Sequence, residues 1–255
     1  MSQITLTEQG NAAVLTLQNE AKLNALTVIM LKELDGHLND LENRADVRAV
    51  VVTGAGPKAF CCGADIAEWG ELRPDEFARY WVRGGHRIFD RLARFSKPTI
   101  AALNGHAFGG GLELAACCDI RIMSPNATLA LPEAKVGIVP GWSGTQRLAR
   151  LLPEPVLKEM ALFARRMDAE KASNLGFVAE VEEDPMSAAI RMVDDLADVS
   201  PSANELAKAM IHGAVGEDTA AVVEALGSAA AAASFDRYEG VSAFLEKRTP
   251  NFEGR

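Results

Sequence analysis

The stretch TIAALNGHAFGGGLELAACC, residues 99–118, decides the fold. Thr99–Leu103 is short and apolar and follows Pro98, which predicts a buried strand. Three consecutive glycines, Gly109–Gly111, then lead into the apolar run Leu114–Cys118, which predicts that a helix opens on the glycines. The same alternation extends outward in both directions. Val47–Thr53 is rich in β-branched residues and stops at Gly54-Ala55-Gly56-Pro57, as a buried strand would. Pro74-Asp75 opens a helix predicted to run to about Leu92, and Ile120–Met123 is a third short strand. Strands alternating with helices predict an α/β domain with mostly parallel pairing.

The two ends differ from this middle. Ile4–Thr7 and Ala13–Leu17 flank Glu8-Gln9-Gly10-Asn11, the signature of a β-hairpin closed by a Gly/Asn turn. Leu31, Leu34, Leu38 and Leu41 recur at helical spacing behind Thr27, a plausible N-cap. After about Val181 only helices are expected. Met192, Val193 and Leu196 form one apolar stripe, and Leu206, Met210 and Ile211 another. The run Ala229–Ala233 reads as a tightly packed helix, since Ala is the strongest helix former. No Gly/Ser-rich linker separates two independent domains. The expected organisation is an α/β core over 1–198 and a helical region over 199–255.

Composition narrows the function. With 255 residues the chain can bury a core without staples. Its 26 Lys and Arg against 35 Asp and Glu give a formal charge of −9, which argues against a nucleic-acid partner. The cysteines come as adjacent pairs, Cys61-Cys62 and Cys117-Cys118, and the four histidines are scattered, so buried free thiols are expected rather than a zinc site or disulfides. Residues 1–20 lack the pattern of a signal peptide, and no stretch is long and apolar enough for a membrane span. The cytoplasm is the expected location.

Three near misses are set aside. Gly54-Ala55-Gly56-Pro57-Lys58-Ala59 fits the dinucleotide fingerprint, but Pro57 and Gly63 interrupt the helix it requires. Gly141-Trp142-Ser143-Gly144 lacks the final glycine of a nucleophile elbow, with Thr145 in its place. His106 is a loop histidine without an evident partner.

Two acids remain. Three glycines at a helix start leave backbone N–H groups bare at the positive end of the helix dipole, a place for an anion or a developing oxyanion. Glu113 follows within the first turn. A purely structural reading is equally open at this point: the glycines allow close packing and Glu113 complements the dipole. A second acid, Glu133, stands among apolar residues ahead of the loop Pro140-Gly141-Trp142-Ser143. A desolvated carboxyl near another resists ionisation, so the two acids can differ in protonation and divide acid and base work.

Lys22-Leu23-Asn24-Ala25-Leu26, Phe60–Ile66, Asn104–Glu113, Pro132–Arg147 and Ala243–Arg248, taken in order, resemble the enoyl-CoA hydratase/isomerase (crotonase) family over essentially the whole chain. The resemblance implies a spiral core of ββα turns. It also implies a C-terminal helical region that builds trimers, often paired into hexamers, and a coenzyme A thioester as substrate with no separate cofactor. Carried over by position, the N–H groups of Ala64 and Gly110 form an oxyanion hole. Glu113 activates water for addition at C3, and Glu133 exchanges the proton at C2. Lys22, Ala25, Gly63, Asp65, Ile66, Gly109, Pro140, Gly141 and Trp142 correspond to substrate- and coenzyme-binding positions. Phe244 and Lys247 correspond to a C-terminal pair that reaches the coenzyme. Both acids are present, which favours hydration of a trans-2-enoyl-CoA, as in fatty-acid β-oxidation, over double-bond isomerisation. The alternatives are an isomerase or other acyl-CoA enzyme of the family and an inactive acyl-CoA-binding subunit. Trp142-Ser143 stands where the family usually has small residues, which implies a narrower or differently shaped acyl end.

Overall fold

Gly10, at φ +57°, turns the chain between β1 (Gln3–Gln9) and β2 (Ala12–Gln18), an antiparallel pair. The computed structural model describes residues 2–217 and 219–254. The chain divides into two compact units between Pro201 and Ser202.

In the first unit, α1 (Val28–Glu42) starts where expected, with the Thr27 hydroxyl accepting the Met30 N–H. Its leucine stripe, Leu31, Leu34, Leu38 and Leu41, is buried. The chain then shuttles between two sheets. From β3 (Ala49–Gly54) it crosses to β4 (Ala59–Cys61), passes through α2 (Pro74–Glu76), a π-helical stretch Phe77–Val82 and α3 (Arg83–Ala93), and returns to β5 (Thr99–Leu103). The next turn repeats the path through β6 (His106–Phe108) and α4 (Gly110–Cys117) to β7 (Ile120–Met123). After β8 (Thr128–Ala130) come α5 (Gly144–Leu151), α6 (Glu154–Phe163), β9 (Met167–Asp168), α7 (Ala169–Asn174), β10 (Glu180–Val181) and α8 (Pro185–Asp194). One sheet has the order β1-β2-β3-β5-β7-β10, parallel beyond the hairpin, and the other the order β4-β6-β8-β9. Strand, strand, helix is the repeating turn of the spiral.

The period of two in β3 shows how both faces of the larger sheet are covered. Val50 and Val52 join the main core with α1 and α3, while Ala49 and Val51 pack on the other face with Ala188, Ala189 and Val193 of α8. A strand covered on both sides needs apolar residues throughout, which is why Val47–Thr53 shows no alternation in its sequence. The helix expected from Pro74 to Leu92 is broken by the π-helical stretch, whose wider turn sequence periodicity does not signal.

The second unit holds most of α9 (Pro201–Ala214), then α10 (Thr219–Ala232) and α11 (Phe235–Glu246). The helices form where expected, but their packing corrects the sequence reading. Leu206, Met210 and Ile211 are 44%, 63% and 62% exposed, and Ala229–Ala233 are exposed too. Few helices in this unit are available to cover one another's apolar faces. Among the described residues no helix is long and apolar enough to cross a membrane.

Candidate active site

Two loops meet where glycines are required. Gly63 and Gly109 hold φ values of +105° and +51°, which a side chain rarely permits. Next to Gly63, Leu26 donates its N–H to the Gly63 carbonyl and accepts from the Asp65 N–H, both at 2.8 Å. This parallel bridge of Leu26 with Ala64 turns the Ala64 N–H to the opposite side, because successive groups of an extended chain alternate. Gly110 lies on that side. A Cβ built on Gly110 would stand 3.7 Å from the Ala64 nitrogen, and one built on Gly63 would stand 3.8 Å from the Gly110 nitrogen. Gly110 is the first residue of α4, where N–H groups lack an intrahelical acceptor. The close-packing reading of the triple glycine is strongest at Gly111, whose added Cβ would collide with the Cys61 carbonyl at 1.9 Å.

Helix α4 carries Glu113 inward to 3% exposure. Its Oε1 accepts the N–H groups of Trp142 (2.8 Å) and Gly144 (2.7 Å) at the start of α5. Burial pushes the Glu113 pKa up; the N–H groups of Gly144, Trp142 and Gly141 and the Arg147 charge oppose it. Glu133 begins the short 3-10 turn Glu133–Val136 and is 8% exposed. A Cβ on Gly109 would lie 2.9 Å from its Oε1, so the glycine makes room for the acid. Its buried Oε2 has no hydrogen-bond partner among the described residues. Burial, reinforced by the Glu113 charge, pushes the Glu133 pKa up to about 7. The less anchored carboxyl therefore holds its proton near neutrality.

A cavity of about 350 Å³ is lined by Gly63, Ala64, Gly109, Gly110 and both glutamates. Ile66, Trp69, Phe77, Trp81, Val82, Ile138, Val139 and Trp142 supply apolar walls, with Gly141, Cys62 and Lys135 completing the lining among others. All three tryptophans of the chain face this space. Phe77, Trp81 and Val82 belong to the π-helical stretch, and sequence reasoning missed them; the aromatic pair four residues apart was the available signal. The Trp142 indole donates to the Trp81 carbonyl at 3.2 Å and packs at 5.1 Å, centroid to centroid, from both Trp81 and Phe89.

Other expected positions lie outside this lining. Lys22 pairs with Asp65 at 2.5 Å, and Asp65 also caps the Ala67 N–H. Ala25 is buried, and Pro140 precedes the lining residue Gly141. Phe244 and Lys247 belong to the second unit, with Phe244 83% exposed and Lys247 closing α11 at φ +53°. His106 is a strand residue whose Nδ1 lies 3.1 Å from the Thr128 nitrogen, a structural contact. No helix follows Gly54-Ala55-Gly56; β4 does. The cysteines are free thiols, and burial pushes Cys61 and Cys117 up to about 12. Among the described residues no cluster of three potential metal ligands occurs.

Behind the site, buried Arg147 of α5 bonds Asp90 of α3 at 2.5 Å and Cys117 Sγ at 3.5 Å, joining three helices around Glu113.

The family profile for enoyl-CoA hydratase/isomerase matches residues 7–255. A short-chain-enoyl-CoA hydratase of Clostridium acetobutylicum is 37% identical over 252 residues, covering 97% of this chain and 96% of that protein. Among solved structures, DspI of Pseudomonas aeruginosa superposes with a TM-score of 0.81 at 37% identity, covering 98% of this chain and 96% of that one. An enoyl-CoA hydratase of Bacillus anthracis gives 0.80 at 34% identity, with 99% of each chain covered.

Proposed function

The chain belongs to the enoyl-CoA hydratase/isomerase family, and we propose on that premise that it hydrates a trans-2-enoyl-CoA to the 3-hydroxyacyl-CoA. The observation that carries the reading is the meeting, in one cavity, of two adjacent backbone N–H groups and two buried acids in unlike surroundings. The thioester oxygen accepts from Ala64 and Gly110, whose N–H groups stabilise the enolate that forms as water adds. Glu113, held by the Trp142 and Gly144 N–H groups, takes one proton from that water while its oxygen bonds to C3. Glu133, protonated below about pH 7, gives its proton to C2. Transfer of a proton from Glu113 to Glu133 then restores the starting state, so water has added without net change to the protein. An isomerase needs only one acid to carry a proton between carbons, and the second buried carboxyl favours hydration.

Coenzyme A arrives as part of the substrate, and the reaction calls for no separate cofactor. Lys22, Ala25, Asp65, Ile66 and Pro140 contribute to its binding, and the resemblance adds Phe244 and Lys247. Exposed apolar residues on α9–α11, among them Met210, Ile211 and Phe244, support a homo-oligomer, a trimer or a pair of trimers. The setting is cytoplasmic acyl-CoA metabolism of the β-oxidation type.

The decisive assay follows the ultraviolet absorbance of the enoyl thioester of crotonyl-CoA. Wild type is expected to abolish the absorbance, and E113Q and E133Q are each expected to slow this by roughly a hundredfold or more. Conversion of a 3-enoyl-CoA with trans-2-enoyl-CoAs left untouched would replace the hydratase with an isomerase; binding without turnover would leave an inactive acyl-CoA carrier.

A further inference from the structure

Trp142 is a bulky side chain set directly against Gly110 of the donor pair. A Cβ on Gly110 would meet its Cε3 and Cζ3 at 3.0 Å, so the benzo edge of the indole stands in contact range of that glycine. Its other edge is seated on α3, where a Cβ on Gly85 would fall 2.3 Å from Nε1. The hydrogen bond to the Trp81 carbonyl and the flanking rings of Trp81 and Phe89 hold the indole in place. It is 3% exposed and still lines the cavity.

We propose that Trp142 is a fixed stop that restricts the site to short acyl chains and so determines substrate length. This rests on the cavity being the enoyl-thioester site. Trp69, Phe77, Trp81 and Trp142 line the same cavity as Ala64 and Gly110, so an acyl tail that extends from a carbonyl held there shares its space with these packed rings. A longer tail must displace packed side chains, and closely packed interiors resist this. Volume at the low end of the range for ligand pockets agrees with a small acyl group.

Two measurements test the stop: kcat/KM on trans-2-enoyl-CoAs of four, six and ten carbons, and calorimetric affinities for butyryl-CoA and decanoyl-CoA. Wild type is expected to favour the four-carbon ligands by at least about tenfold in both. W142A is expected to raise the ten-to-four-carbon ratio by at least about tenfold, whatever its effect on absolute rate. W142F, which keeps an aromatic ring, is expected to lie between them. Equal wild-type values at four and ten carbons overturn the stop, as does an unchanged ratio in folded W142A. Should both variants unfold by circular dichroism, the wild-type profile alone decides: steep supports the stop, flat ends it. If no enoyl-CoA is hydrated, the hydratase reading fails while the affinity series still judges the stop.

Discussion

Glu113 reaches from the first turn of α4 to the first turn of α5, where its Oε1 lies 2.7 Å from the Gly144 nitrogen. The same oxygen takes the Trp142 N–H, so two helices and the loop between Glu133 and α5 are fixed through one buried carboxylate. Glu133 has no comparable anchor. The contrast places a carboxyl held by two backbone donors beside one that keeps its proton, two unlike acids in one cavity as acid and base work requires.

The Glu133 environment makes both activity and stability depend on pH. Its pKa is raised in the folded state from 4.5 to about 7. Below pH 4.5 folded and unfolded chains both carry the proton, and the burial costs nothing extra. Between 4.5 and 7 the unfolded chain loses its proton first, so stability falls with rising pH, by about 3 kcal/mol when complete. Urea titrations of wild type and E133Q between pH 5 and 8 should therefore diverge, with E133Q the less sensitive. Hydration by wild type should decline above about pH 7 as the proton donor is lost, although the profile belongs to the coupled pair. A flat pH–rate curve through 7 would remove Glu133 from the proton transfer.

Filling the space between the two donor loops tests the oxyanion site. Gly110→Ala puts a methyl 3.7 Å from the Ala64 nitrogen and 3.0 Å from the Trp142 ring, with no positive φ to strain. Turnover of crotonyl-CoA should fall by roughly a hundred- to a thousandfold. Ala64→Gly, which leaves the backbone donor in place, should stay within about tenfold of wild type. Similar losses in both would point to loop disorder instead.

Removing Asp90 tests the support behind Glu113. Its partner Arg147 is 3% exposed, and a buried guanidinium deprived of a carboxylate is costly. Asp90→Ala should lower unfolding free energy by about 3 kcal/mol in chemical denaturation. A change below about 1 kcal/mol would make the pair a surface-like contact.

Much of this arrangement is written locally in the chain. Gly10 between two apolar strands, Thr27 ahead of a leucine stripe, and the glycines before Glu113 each act on their immediate neighbours, and each is readable for that reason. The routing is not local. That β4, β6 and β8 leave the larger sheet for a second one follows from how apolar faces find cover in three dimensions. The aromatic wall escaped for a related reason: Trp81 and Val82 sit in a π-helical turn, and periodicity assumes the tighter one. The exposed stripe on α9 shows a further limit, because an apolar pattern says that a face wants covering but not by what.

Gly85 gives up helix stability inside α3, where Ala would be better by roughly 0.5–1 kcal/mol, and the Trp142 indole occupies the place a methyl would take. The two positions are thereby tied in descent. A lineage that kept the indole would tolerate nothing larger than hydrogen at 85, and one that first shrank the residue at 142 would be free to regain a side chain there. Divergence in acyl preference among descendants of this protein should therefore leave a double signature, one change on each side of the cavity wall.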